Sequence, residues 1–182
     1  MDDFTDSETV SIVQPPAEAY ARRTVTVDFL YLDNTSCERC IGTEAALETA
    51  LERLEPILEA FDVTITVREI HVSTLEIADA TQLAVSPTIR IDGTDIQPAY
   101  LENTCESSAD LCAGEGGVTC RLWRYRGEQY TTPPVELLLE ALVQAVVPTR
   151  RQGTDSPETD AYRLSSNVKE FFTENDTEAC DC

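Results

Sequence analysis

The chain has 182 residues, with 13 basic side chains against 34 acidic ones and a formal net charge of −21. That length suits one domain and a tail at roughly 150 residues per domain, and 42% apolar residues supply a core of ordinary size. Charge this negative repels nucleic-acid phosphate and anionic lipid head groups, so neither is an expected partner, and it fits an internal protein of a salt-loving cell, where dense ions screen the carboxylates.

Residues 1–23 read as an acidic leader: Met1-Asp2-Asp3-Phe4 stands where a secretory signal would be basic, and no apolar stretch follows. No run approaches the roughly 18 apolar residues of a membrane span, so a cytoplasmic location is expected. Thr24 to Leu32 is β-branched and aromatic, a strand. Asp33-Asn34-Thr35-Ser36 is a turn of helix-capping side chains. Cys37-Glu38-Arg39-Cys40 follows and opens a helix, with Leu47, Ala50, Leu51, Leu54 and Leu58 on one face and a row of glutamates on the other. Pro56 removes a backbone donor and is expected to kink or end that helix. Val63 to Val72 alternates as a second strand, and residues 74–83 suit a short helix. Ser86-Pro87-Thr88 leads into a strand at Ile89–Ile91 and a turn at Asp92-Gly93. Periodicity then lapses over residues 94–119, which read as an insertion carrying Cys105 and Cys112. Order returns with Cys120 to Tyr125, a turn at Gly127, and a helix from Pro133-Pro134 to Val147. Residues 149–182 read as a disordered or weakly helical tail, helical at Asn167 to Thr173 and ending in Cys180-Asp181-Cys182.

The domain is thus residues 24–148, of α/β class. Two strands joined through a helix are expected to be parallel with a right-handed crossover. Ile89–Ile91 and Leu122–Tyr125 are expected to pair antiparallel beyond them, giving a mixed four-stranded sheet flanked by helices with the insertion between its last two strands. A CxxC at the exit of the first strand of such a unit is the thioredoxin-like arrangement.

Seven cysteines in a chain expected to live in a reducing compartment point to chemistry more than to structural disulfides. At the helix start, the Cys37 sulfur faces unpaired backbone N–H groups and the positive end of the helix dipole, which favour thiolate. Cys40, one turn on and in line with Leu47, Leu51 and Leu54, is expected to be the shielded sulfur and Cys37 the exposed one. Dithiol exchange uses such an attacker and such a resolver. Arg39 adds positive charge nearby and Glu38 opposes it.

Cys105, Cys112 and Cys120 are spaced wider than zinc knuckles. They admit three readings: a zinc or other soft-metal site completed by another ligand, a disulfide or relay that leaves one thiol to exchange with Cys37, or incidental thiols. A tail of about 30 residues reaches roughly 30 Å, so Cys180 and Cys182 are candidate internal reductants or soft-ion carriers, or incidental. His71, the one histidine, reads as a surface or packing residue, and the lack of a second histidine excludes multi-histidine metal sites. Arg121, Arg124 and Arg126 are expected in salt bridges to neighbouring carboxylates, with a grip on an anionic partner as the alternative, and Trp123 and Tyr125 in sheet packing.

Residues 25–147 resemble an archaeal thioredoxin-like family of unknown function. The likeness lies in Tyr31-Leu32-Asp33 before Cys37-Glu38-Arg39-Cys40, in Ser86-Pro87-Thr88-Ile89-Arg90-Ile91-Asp92-Gly93, in Cys120-Arg121-Leu122-Trp123, and in Gly127 to Pro134. It implies a thioredoxin-like fold with a cis proline at Pro87 against the CxxC, where Ser86 and Thr88 would bind an extended substrate. A trans proline opening a strand is the alternative. Unlike thioredoxins, the chain has no Trp-Cys-Gly-Pro-Cys, and its intervening pair is charged. The expected function is thiol–disulfide oxidoreductase, with Cys37 attacking, Cys40 resolving and Pro87 shaping the groove. Its partners would be protein or small-molecule thiols and disulfides, and no organic cofactor is implied. The rival is a soft-metal or metalloid binding protein (zinc, cuprous copper, mercury, arsenite) using the same thiolates.

Overall fold

The computed structural model describes residues 23–104, 119–147 and 166–175. Strand β1 (Arg23–Tyr31) runs through its centre. Val25, Val27, Phe29 and Tyr31 belong to one buried cluster, and Leu30 with Leu32 to another. Successive side chains therefore feed opposite faces of the sheet, which is why β1 reads as a nearly continuous run of β-branched and aromatic residues.

Helix α1 (Glu38–Ala60) covers the first face with Cys40, Ala46, Leu47, Ala50 and Leu54 buried beneath it. It continues for four residues past Pro56 and does not end there. Glu52, whose carbonyl the proline leaves without its helical donor, is exposed, so water can satisfy that carbonyl at little cost. Strand β2 (Val63–His71) returns parallel to β1, in register from Arg23 opposite Val63 to Tyr31 opposite His71. Helix α2 (Leu75–Ala80) is capped by the Thr74 hydroxyl, which accepts the Ile77 N–H at 3.2 Å.

Strand β3 (Thr88–Ile91) lies antiparallel on the other side of β1, and β4 (Thr94–Asp95) pairs with β3. Asp92 and Gly93 both have positive φ, 49° and 80°, the requirement of a tight two-residue hairpin turn. The sheet order is β2-β1-β3-β4, a mixed four-stranded sheet.

Its fourth strand corrects the expectation that Leu122–Tyr125 would occupy that position. The hairpin at Asp92-Gly93 turns the chain back at once and puts Thr94–Asp95 on the free edge of β3. Strand β6 (Thr119–Tyr125) instead pairs antiparallel with β5 (Leu101–Thr104) and β7 (Glu128–Tyr130) in a second, three-stranded sheet. Strands β4 and β5 also fall inside residues 94–119, expected as a structureless insertion. At two and four residues they are too short to display an alternating pattern.

Helix α3 (Val135–Val146) packs on α1 through Leu138, Leu142 and Val146. Gly42 of α1 sits under the segment that leads into it. A Cβ there would lie 2.7 Å from the Thr132 hydroxyl oxygen, so only glycine allows this approach without movement. Helix α4 (Ser166–Asn175) falls where the sequence suggests a weak helix. It is docked: Val168 and Phe172 are buried with Leu30, Leu32, Val72, Ala78 and Leu83 on the second face of the sheet. Cys105, Cys112, Cys180 and Cys182, and residues 1–22, lie outside the described residues. Among the described residues no helix is long and apolar enough to cross a membrane.

Candidate functional site

The site forms where β1 hands over to α1. After Leu32 the chain turns on Asp33, whose carboxylate accepts the Thr35 N–H and hydroxyl at 2.7 Å each and is also bonded by Ser36. Burial opposes the Asp33 charge, but these bonds from Ser36 and Thr35 outweigh it and hold the carboxyl below its ordinary range. The turn delivers Cys37 to the N-cap of α1, with extended backbone angles, and its carbonyl takes the first helical bond from the Ile41 N–H at 3.0 Å.

Three sulfurs share one buried cluster here: Cys37, 3% exposed, Cys40, 1%, and Cys120 of β6, 3%. All three are thiol groups outside any disulfide. Cys37 is pushed far below its ordinary range, first by a hydrogen bond from the Cys120 thiol and then by one from the Cys40 thiol. Burial opposes this shift, and the backbone N–H groups of Cys40 and Arg39 assist it. Cys40 is pushed upward, because its proton is held against the Cys37 sulfur and because it is buried. Its sulfur lies 3.8 Å from the Ser86 hydroxyl oxygen. The site therefore sets one sulfur, favoured as the anion at the positive end of a helix, against two neighbouring sulfurs that hydrogen-bond to it.

The expected exposure of Cys37 is corrected by these positions. A helix N-terminus alone would leave that sulfur open, but the β5–β6 hairpin lies over it. The hairpin is fastened at two points. The Arg39 guanidinium donates to the carbonyls of Thr104 (3.1 Å) and Cys120 (3.4 Å) and to the Asn103 side chain. The Arg121 N–H donates to the Ser86 carbonyl at 2.8 Å. Arg39, expected as a charge beside the thiols, serves as the clamp that holds their cover. Replacing Arg39 with alanine removes these bonds, and Cys37 should then react with iodoacetamide roughly tenfold faster than in the native chain, a change of about 1.4 kcal/mol in the opening equilibrium. Peptide mapping of the alkylated sites measures it.

The Ser86–Pro87 peptide bond is cis. Ser86 and Thr88, expected to meet substrate, are both buried and already engaged. The Ser86 hydroxyl accepts the Leu32 N–H at 3.1 Å and its carbonyl takes Arg121, while the Thr88 hydroxyl donates to the Val85 carbonyl. Of the cysteines grouped by spacing, Cys120 joins Cys37 and Cys40, whereas Cys105 and Cys112 are outside the described residues. Among the described residues no group of three His, Cys, Asp or Glu side chains is arranged to hold a metal ion. His71 packs: its ring stacks on Tyr31 with centroids 5.5 Å apart, and a ring nitrogen lies 3.1 Å from the Leu32 carbonyl. The sequence reading missed the role of Arg39, and it offered exchange with Cys37 for Cys120 only as one of three readings shared with Cys105 and Cys112. No local signal marks the contact of Cys120 with Cys37, because residues more than eighty apart in the chain make it.

Fold and site together define a mixed α/β protein with a thiol cluster at the start of the helix that follows its central strand. Residues 25–142 match the family described as a domain of unknown function, DUF2703, and the chain belongs to that family. No curated protein and no solved structure matches it.

Proposed function

We propose that this protein is a thiol–disulfide oxidoreductase of thioredoxin-like type, working on protein or small-molecule disulfides. The observation that carries the reading is the placement of the sulfur pair: Cys37 at the N-cap of α1 and Cys40 one turn on, both outside any disulfide, with Cys37 favoured as thiolate and Cys40 as thiol. Thiolate is the nucleophile of disulfide exchange, and a protonated neighbour stays out of reaction until the first mixed disulfide has formed. Cys37 attacks the substrate disulfide, expelling one thiol. Cys40 then loses its proton and attacks the Cys37 sulfur, expelling the second thiol and leaving a Cys37–Cys40 disulfide. A dithiol reductant restores both cysteines. The thioredoxin-like resemblance of the Cys37–Cys40 and Ser86–Pro87 segments supports this reading, as does the Ser86 hydroxyl beside Cys40. The acidic surface agrees with the salt-rich cytoplasm that the composition suggests.

Reduction of insulin disulfides by dithiothreitol in high salt tests the reading. The native chain should accelerate it, Cys37→Ser should lose roughly a thousandfold of the acceleration, and Cys105→Ser should retain most of it. A native chain that gives no acceleration and copurifies with a stoichiometric soft metal would overturn the proposal in favour of a metal-binding protein.

A further inference from the structure

Strand β6 lies against the backbone of Ser86, the position that the thioredoxin-like resemblance assigns to an extended substrate. Its Arg121 N–H is bonded to the Ser86 carbonyl at 2.8 Å. The next residue back, Cys120, presents its thiol to the Cys37 sulfur as a hydrogen-bond donor. Its carbonyl is held by Arg39, and its side chain is nearly as buried as Cys40. Cys37 thus has two thiol neighbours: one a helical turn away on its own helix, the other on strand β6, more than eighty residues later in the chain.

We propose that Cys120 is a third redox-active thiol, which resolves the mixed disulfide formed on Cys37 ahead of Cys40 and yields a Cys37–Cys120 disulfide that Cys40 then takes over. The inference rests on the oxidoreductase reading and extends it with a catalytic residue. An entering disulfide displaces β6 from Ser86, and the Cys37 thiolate attacks one of its sulfurs. The substrate S–S bond breaks, a Cys37–substrate bond forms, and the first thiol leaves with a proton from water. When β6 returns, Cys120 gives its proton to water and attacks the Cys37 sulfur. The Cys37–Cys120 bond forms and the second thiol leaves protonated. Two protein sulfurs are oxidised and one disulfide is reduced to two thiols. Attack by Cys40 on Cys37 then moves the disulfide to the inner pair and returns Cys120 to a thiol. Strand β6 is tied to the site at Ser86 and Arg39, so Cys120 meets Cys37 at an effective concentration of about millimolar or more.

The test uses the full chain carrying Cys40→Ser, oxidised with glutathione disulfide, quenched in acid, blocked with N-ethylmaleimide and mapped by mass spectrometry without reduction. The expected product is a Cys37–Cys120 bridge with little glutathione on Cys37. Cys40→Ser/Cys120→Ser should carry roughly tenfold more glutathione at Cys37, because no neighbouring thiol removes it. Partly oxidised native chain should yield the same bridged peptide, so the result does not depend on the variant folding. Stable glutathione on Cys37 of Cys40→Ser with Cys120 blocked by maleimide, or a bridge from Cys37 to another cysteine, overturns the role of Cys120 and leaves the oxidoreductase reading standing. A Cys37 that takes glutathione in no variant overturns both.

Discussion

Replacing Asp95 with alanine should lower the unfolding free energy by about 3 kcal/mol, measured by urea denaturation in high salt. Arg121 is fully buried, and its guanidinium donates to both carboxylate oxygens of Asp95, at 2.9 Å to Oδ1 and 2.5 Å to Oδ2. The cation also lies over the Trp123 ring, 4.7 Å from its centroid. Removing the carboxylate leaves a buried cation, and arginine cannot shed its proton to escape the cost. The carboxylate is partly exposed and also accepts the Gln97 N–H at 2.8 Å, so the loss lies at the lower end for broken buried pairs. Asp95→Leu combined with Arg121→Met should recover most of the loss, since an apolar pair carries no desolvation penalty. The pair joins β4 to β6, so Asp95→Ala should also free the cover of Cys37. Equal stability of Asp95→Ala and the native chain would show that water reaches Arg121.

The second large effect is in the ionisation of the thiols. Thiolate absorbance near 240 nm, taken as native minus Cys37→Ser, should persist at pH 6, where an ordinary thiol is less than about 1% ionised. The hydrogen bonds from Cys120 and Cys40 lower Cys37, so Cys120→Ala should move this transition back toward the ordinary thiol range. Stability follows with a definite sign. The folded pKa of Cys37 is depressed, so below the ordinary thiol range the unfolded chain binds a proton that the folded chain does not. Stability therefore falls as the pH is lowered from about 8.5. Cys40 is raised, so above that range the unfolded chain loses a proton that the folded chain keeps, and stability falls as the pH rises. The pair should place a stability maximum near pH 8 to 9. Cys37→Ser should remove the acid slope that the pair contributes. A transition at the ordinary thiol range in the native chain would sink the polarised pair and the function built on it.

Much of the architecture could be read from local pattern. The run from Thr24 to Leu32, the leucine stripe on α1, the alternation at Val63 and the turn residues Asp92-Gly93 and Gly127 each carry their own instruction, through side-chain periodicity or a required positive φ. The short strands β4 and β5 carry none. The docking of α4 depends on Val168 and Phe172 finding an apolar face that four other segments build.

At the site the division is similar. The amino-acid sequence determined that Cys37 begins a helix and Cys40 lies under it, because a capping turn, a three-residue spacing and a helical apolar stripe are all local properties of the chain. Tertiary structure alone decided that Cys37 is covered, that Arg39 grips a hairpin, and that Cys120 supplies its leading hydrogen bond. Those outcomes rest on contacts between segments far apart in the chain, Arg39 with β5 and β6 and Cys37 with Cys120, which no local pattern encodes.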